Sequence, residues 1–150
     1  MSREILFRGK RTDNGEWMEG YYRCIPCMGI RGHYIMPINP KNRLEQYDIN
    51  PNTLCQYTGL TDKNSKKIWE NDIVKYQFDN DDCSFPNKHT EKIIGRIFFS
   101  DFRASFSVTA GRKGSSSINN DLFRYVRNGN RVEVIGNIFD NPELLEVEHD

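Results

Sequence analysis

Chemistry in this chain, if present, would start at Cys24-Ile25-Pro26-Cys27. Two residues between two cysteines can place both thiolates on one metal ion or in one redox-active turn. A structural zinc site needs two further ligands, for which Cys55, Cys83, His33 or His89 could serve, yet none of these forms the second close pair that gives such sites their usual spacing. Free or packed thiols are therefore the stronger reading, and no metal or other cofactor is expected. The histidines His33, His89 and His149 stand apart in sequence, and Ser115-Ser116-Ser117 lacks the strand-turn-helix setting of a nucleophile elbow. Asp79, Asp81 and Asp82 could meet a divalent ion, but acidic residues in a polar excursion more often serve solubility. Gly111-Arg112-Lys113-Gly114 has glycine and charge without the Lys-Ser/Thr ending of a nucleotide loop. No catalytic residue is expected; an enzyme drawing on His33, His89, Asp81, Asp82 or the cysteines would have to bring a histidine and carboxylates into one cleft.

Charge offers a different kind of chemistry. The chain carries 21 cationic and 21 acidic residues, so no net field would hold it on nucleic acid or an anionic membrane. Their distribution is uneven. Arg103, Arg112, Lys113, Arg124, Arg127 and Arg131 are opposed over that stretch only by Asp121, while Asp140, Glu143, Glu146, Glu148 and Asp150 make the tail acidic. Phe98, Phe99, Phe102, Phe106, Phe123 and Tyr125 interleave with Arg96 and the arginines of this stretch, a mixture that can stack bases and hold phosphates. Alternating strands place aromatics inward and charges outward merely to fold, so a solvated basic face outweighs the nucleic-acid reading.

The elements that must position these residues are mostly strands. The 150 residues suit one domain with its own core, built from aromatic and β-branched side chains. Residues 4–8 and 16–22, joined through Asp13-Asn14-Gly15, read as a hairpin, because Asn-Gly accepts the positive φ that the twist of paired strands demands. From Cys24 to Pro51 four prolines argue against long central strands and for short edge strands such as 34–36. Strands are expected over 53–57, closed by Thr58-Gly59-Leu60, over 72–78 and over 93–99, with Gly95 as a bend or bulge. The last two are expected to pair with each other. Further strands are expected over 104–108 and 131–138, with a Gly/Ser-rich loop from Gly111 to Asn120 between them. Asn141-Pro142-Glu143 has a capping residue, a proline suited to the first helical position and an acidic first turn, which predicts one short C-terminal helix.

The strings Ile5-Leu6-Phe7-Arg8-Gly9-Lys10, Gln56-Tyr57-Thr58-Gly59-Leu60-Thr61-Asp62-Lys63-Asn64, Ile68-Trp69-Glu70-Asn71-Asp72-Ile73-Val74 and Val134-Ile135-Gly136-Asn137-Ile138-Phe139-Asp140-Asn141-Pro142-Glu143-Leu144-Leu145 resemble, in order and spacing, the YopX family of phage and prophage proteins. The resemblance spans almost the whole chain and carries no catalytic motif. It implies a mainly β fold, with a short N-terminal hairpin region and a small SH3-like barrel in the C-terminal half. The chain then reads as a single domain over 1–150, with an N-terminal subregion 1–57 and a barrel subregion 58–145. The resemblance also implies residence in a bacterial host cell and self-association, but no reaction. Two features depart from the family pattern: Asn71 stands where a glycine is usual, and the Cys24/Cys27 pair belongs to no part of it. Asn71 can still adopt the left-handed conformation.

The expectation is a non-enzymatic binding module, an accessory protein that acts through protein–protein contacts, as a homo-oligomer or with a host or phage protein. The alternative is a single-stranded nucleic-acid-binding protein using Arg103, Arg112, Lys113, Arg124, Arg127 and Arg131. No stretch approaches the roughly 20 apolar residues of a membrane span, and the N-terminal residues lack the apolar run of a signal peptide, so a cytoplasmic protein with no membrane partner is expected.

Overall fold

A computed structural model describes residues 3–77, 92–109, 120–127 and 129–146. The fold is mainly β, two antiparallel sheets with little helix. The chain divides into two compact units, Met1–Gly59 and Leu60–Asp150.

The first unit holds β1 (Phe7–Arg11), β2 (Trp17–Cys27), β3 (Ile30–Pro37) and most of β4 (Tyr47–Thr61). Gly15, at φ 71°, makes the expected turn between β1 and β2, and its amide donates to the Arg11 carbonyl at 3.0 Å. β1 pairs with β2 on one side and β4 on the other, and β3 pairs with both β2 and β4, so the hydrogen bonding returns to the strand where it began. Leu6, Ile35, Ile49, Cys55 and Tyr57 are buried in this unit. A Cβ at Gly9 would lie 2.6 Å from Ile49 Cδ1, so glycine is what lets Ile49 reach its place.

The prolines do not break this sheet as the sequence predicts. β2 runs through Pro26 and β3 extends over Ile30–Pro37, well beyond the short edge strand expected at 34–36. With the two-residue turn at Met28-Gly29, Cys27 and Ile30 form the hydrogen-bonded pair that closes the hairpin. Pro26 opposite Arg31 then falls at a non-hydrogen-bonded position, where a missing N–H costs no ladder bond. β4 likewise runs through Pro51 and past Thr58-Gly59-Leu60, which do not close it. Pro51 sits in a bulge, since the register shifts between Arg8 opposite Cys55 and Lys10 opposite Asn50. There the Thr53 hydroxyl accepts from the Lys10 amide at 2.8 Å and donates to the Asn50 carbonyl at 2.7 Å, replacing ladder bonds the bulge forfeits.

In the second unit follow β5 (Lys67–Trp69), β6 (Asp72–Gln77), β7 (Lys92–Ser100), β8 (Ser105–Val108), β9 (Asn120–Asp121), α1 (Phe123–Val126) and β10 (Val132–Asn137). The sheet order is β10-β6-β7-β8-β9, antiparallel throughout, so β6 and β7 pair as expected. Ile68, Val74, Tyr76, Ile97, Val108, Leu122, Tyr125 and Val132 form one buried cluster, the β-branched and aromatic core foreseen from composition. The rings of Tyr76 and Tyr125 lie 4.7 Å apart, and the Tyr76 hydroxyl donates to the Thr109 carbonyl at 2.9 Å. β6 is buried on both faces at Ile73 and Val74, and only Lys75 is exposed.

Gly95 is not a bulge: β6 and β7 stay in register through it, and a Cβ there would overlap the Thr109 carbonyl oxygen at the end of β8. The irregularity falls on β10, where the register shifts between Val134 and Gly136. Asn71 takes the left-handed conformation, φ 69°, as its place before Asp72 requires. The C-terminal helix is a 3₁₀ turn, Pro142–Leu145, and Asn141 makes no side-chain cap on it. The Asn141 side chain instead faces back and accepts from the Asn137 amide at 3.3 Å. Helix α1 was not foreseen; Asp121 Oδ1 accepts from the Phe123 amide at 3.0 Å and starts it. Among the described residues no helix is long and apolar enough to cross a membrane.

Candidate binding surfaces

In the first unit, β1 covers β2 only as far as Gly20, and β4 covers β3 only at Tyr34 and Ile35. Beyond them Cys24–Cys27 and Ile30–His33 pair only with each other among the described residues, a two-stranded arm with both outer edges open. Its tip is apolar: Met28 is 98 % exposed and Ile30 75 %. An isolated two-stranded ribbon is marginal in water, and open strand edges with apolar ends favour pairing with another chain.

Nearer its base, the Tyr22 hydroxyl and His33 Nδ1 share a hydrogen bond of 2.6 Å, with the rings stacked. Cys24 lies opposite His33 in the ladder. Burial, and then the Cys24 thiol, push the Tyr22 phenol above its ordinary value. The backbone from Trp17 to Cys27 is one continuous strand, so three strand steps, about 10 Å, separate positions 24 and 27, whereas a shared metal or redox pair needs a turn between them. Among the described residues no three His, Cys, Asp or Glu side chains gather as a metal would require. The described hydrogen-bond partner of His33 is a phenol, not a carboxylate.

In the second unit a cavity of about 170 Å³ opens where β6, the start of β7, the turn after β4 and the residues before β10 meet. Lys63, Lys75, Lys92 and Arg131 line it with Tyr76, Gln77, Asn130 and Glu133. Asn130 is held rigidly: its Nδ2 donates to the Thr61 carbonyl at 2.6 Å and its Oδ1 accepts from the Val132 amide at 3.1 Å. Lys63 Nζ lies 3.2 Å from Glu133 Oε2.

On another part of this unit the turn between β7 and β8 presents Phe102, 99 % exposed, next to Arg103. Phe99 and Phe106 meet edge to face with centroids 5.3 Å apart, and the Phe106 carbonyl accepts from the Leu122 amide at 3.0 Å, beside half-exposed Phe123.

Arg103 is exposed in the turn, Arg127 is exposed at the end of α1, and Arg124 lies within that helix. Arg131 turns back, donating from Nη2 to the Arg124 carbonyl at 3.4 Å, with its guanidinium 5.7 Å from the Tyr125 ring centre, and it lines the cavity. Arg112 and Lys113 lie outside the described residues, as do Cys83, His89, His149, Asp79, Asp81, Asp82 and Ser115–Ser117. Lys63, Lys75 and Lys92 were not singled out from the sequence, because each comes from a different element and no linear charge run marks them. The one local signal is Lys75, the exposed position in an otherwise buried or half-buried strand.

The sequence model of a family described as YopX protein matches residues 6–146. The chain is similar to the crystal structure of protein EF1440 from Enterococcus faecalis, with 22 % identity over 96 % of this chain and 99 % of that one and a TM-score of 0.49. No curated protein matches it.

Proposed function

The chain belongs to the YopX family, and from that premise we propose that it is a non-enzymatic binding module, a phage or prophage accessory protein that works in the cytoplasm of a bacterial host through protein–protein contacts, including contacts with a second copy of itself. The observation that carries this reading is the β2–β3 arm, whose two outer edges have no partner strand among the described residues and whose tip holds Met28 and Ile30 exposed. Apolar side chains on an open ribbon are stabilised when another chain covers them, by strand addition or exchange of arms. We read the antiparallel sheet of the second unit as the SH3-like barrel that the family resemblance implies. Light scattering over a concentration series tests self-association: the parent should exceed monomer mass, and Met28→Asp with Ile30→Asp should return it to monomer. A parent that stays monomeric at every concentration removes the self-association.

A second reading, single-stranded nucleic-acid binding, is favoured by Phe102 beside Arg103 and by Phe123 on the helix that carries Arg124 and Arg127. Exposed rings interleaved with arginines suit stacked bases and their phosphates. Fluorescence anisotropy with an oligonucleotide across a salt series should then show binding that weakens steeply with salt and is lost in Arg124→Glu/Arg127→Glu. No binding at low salt would sink this reading.

A further inference from the structure

We infer that the cavity lined by Lys63, Lys75, Lys92 and Arg131 is a binding site for a phosphate group. The inference is independent of the protein-contact reading and shares only Arg131 with the arginines of the nucleic-acid reading.

The chain as a whole is electrically balanced, yet among the described residues this cavity gathers four cations and one carboxylate. Within a cleft of this size the cations lie inside one another's field, because the screening length at physiological salt is about 8 Å. For the lysines, compensation among the described residues is thin. Glu133 stands directly opposite Lys75 in the ladder but also holds Lys63 at 3.2 Å, so one carboxylate serves two lysines. Lys92 stands opposite Gln77, which carries no charge. Neither Lys75 nor Lys92 has a carboxylate at hydrogen-bond distance among the described residues. An anion entering the cavity would relieve this repulsion.

The donors narrow the class of anion. Cationic residues from β6, from the start of β7, from the turn after β4 and from the β10 side line it, with Gln77 as a neutral donor, Lys63 already shared with Glu133 and Arg131 with the Arg124 carbonyl. Donors converging from several directions suit a tetrahedral group with three or four acceptor oxygens better than a planar carboxylate, whose two oxygens lie in one plane. The aromatic ring at the site, Tyr76, belongs to the buried core and presents no face for stacking a base. Recognition is therefore of the phosphate itself, whether on a small phosphate compound or in a polynucleotide backbone.

The test uses the full chain labelled with nitrogen-15, titrated at low salt with inorganic pyrophosphate and separately with an oligothymidylate, against sodium chloride of equal ionic strength. Pyrophosphate should give saturable amide shifts at Gln77, Lys92, Asn130 and Arg131 that chloride does not. Lys75→Glu/Lys92→Glu, two exposed positions, should weaken it at least about tenfold. If the oligonucleotide shifts the same amides and competes with pyrophosphate, the site takes backbone phosphates, and the double variant should lower the salt slope by about 1.4. If only pyrophosphate binds, the ligand is a small phosphate compound. The inference is overturned if neither probe shifts these amides, or if the double variant binds as the parent does. An oligonucleotide that binds the parent and the Lys75→Glu/Lys92→Glu variant equally, but not Arg124→Glu/Arg127→Glu, with no pyrophosphate shift at these amides, overturns it while leaving the nucleic-acid reading intact.

Discussion

The carboxylate of Asp62 holds the amide of Val134, 72 residues further along the chain, at 2.9 Å through Oδ2. Its Oδ1 accepts from the amides of Asn64 and Lys66, each at 2.9 Å, and Asp62 itself is only 3 % exposed. One side chain thus builds the turn after β4 and fastens that turn to β10, which accounts for the aspartate in the Thr61-Asp62-Lys63-Asn64 string.

Removing it leaves three backbone amides without that buried acceptor. Asp62→Ala should lower unfolding stability by about 3 kcal/mol or more, and Asp62→Asn by roughly half as much, since one oxygen remains while the new amide group faces donors. Urea denaturation of the three proteins checks this. A loss under about 1 kcal/mol for Asp62→Ala would show that water replaces the carboxylate.

At Asn71 the left-handed backbone, φ 69°, is fixed by two hydrogen bonds, its amide to the Ile97 carbonyl at 2.8 Å and its carbonyl from the Ile138 amide at 3.1 Å. A residue that resists positive φ must strain or break them. Asn71→Val should be less stable than Asn71→Gly by about 1–2 kcal/mol, a difference readable from paired thermal melts. Equal stability would mean that the turn can rearrange.

Gly136 and Asn141 should behave as a coupled pair. A Cβ at 136 would lie 2.6 Å from Asn141 Oδ1, the atom that accepts from the Asn137 amide. Gly136→Ala therefore acts mainly by evicting the Asn141 side chain, and Gly136→Ala/Asn141→Ala should cost less than the sum of the single changes, by at least about 0.5 kcal/mol in a double-mutant cycle. Strict additivity would refute the link.

Alkaline pH should loosen the first unit. Burial and the Cys24 thiol raise the Tyr22 phenol above 10.0, and a hydrogen bond with Glu45, then burial, raise Tyr47. A phenol that holds its proton more tightly when folded contributes stability that is complete below about pH 10 and lost as pH rises through the raised value. Ultraviolet absorbance should show Tyr22 ionising later than in the unfolded chain, and Tyr22→Phe should flatten the alkaline decline in stability. An unchanged decline would place its origin elsewhere.

Much of this architecture was legible. The Asn14-Gly15 turn, the left-handed Asn71, the β6–β7 pair and the aromatic and β-branched core follow from local chemistry that tertiary contacts had no reason to overrule. Length was misjudged in the proline-rich stretch because a proline is read as a missing donor. Whether that donor is needed depends on register, and Pro26 falls where the ladder makes no bond, while Pro51 falls in a bulge that Thr53 repairs. At Gly95, where local pattern predicts a bend or bulge, the ladder has no bulge and the glycine makes room for the Thr109 carbonyl after β8, a contact no local pattern records. The candidate sites show the same limit. Arg131, which linear proximity groups with Arg103, also lines a cavity with Lys63, Lys75 and Lys92, residues that only the sheet brings together.

The return of β4 to β1 also shapes how the first unit can fold. Phe7 pairs with Gln56 and Arg11 with Ile49, so the first strand stays bare along one edge until a segment some forty residues later has been made and has come back to it. Closing so large a loop draws on chain entropy before its contacts repay it. The β1–β2 hairpin can form early as a local event, but completing the circuit should set the pace, and a nascent chain paused before Tyr47 would present the β4-facing edge of β1 to its surroundings.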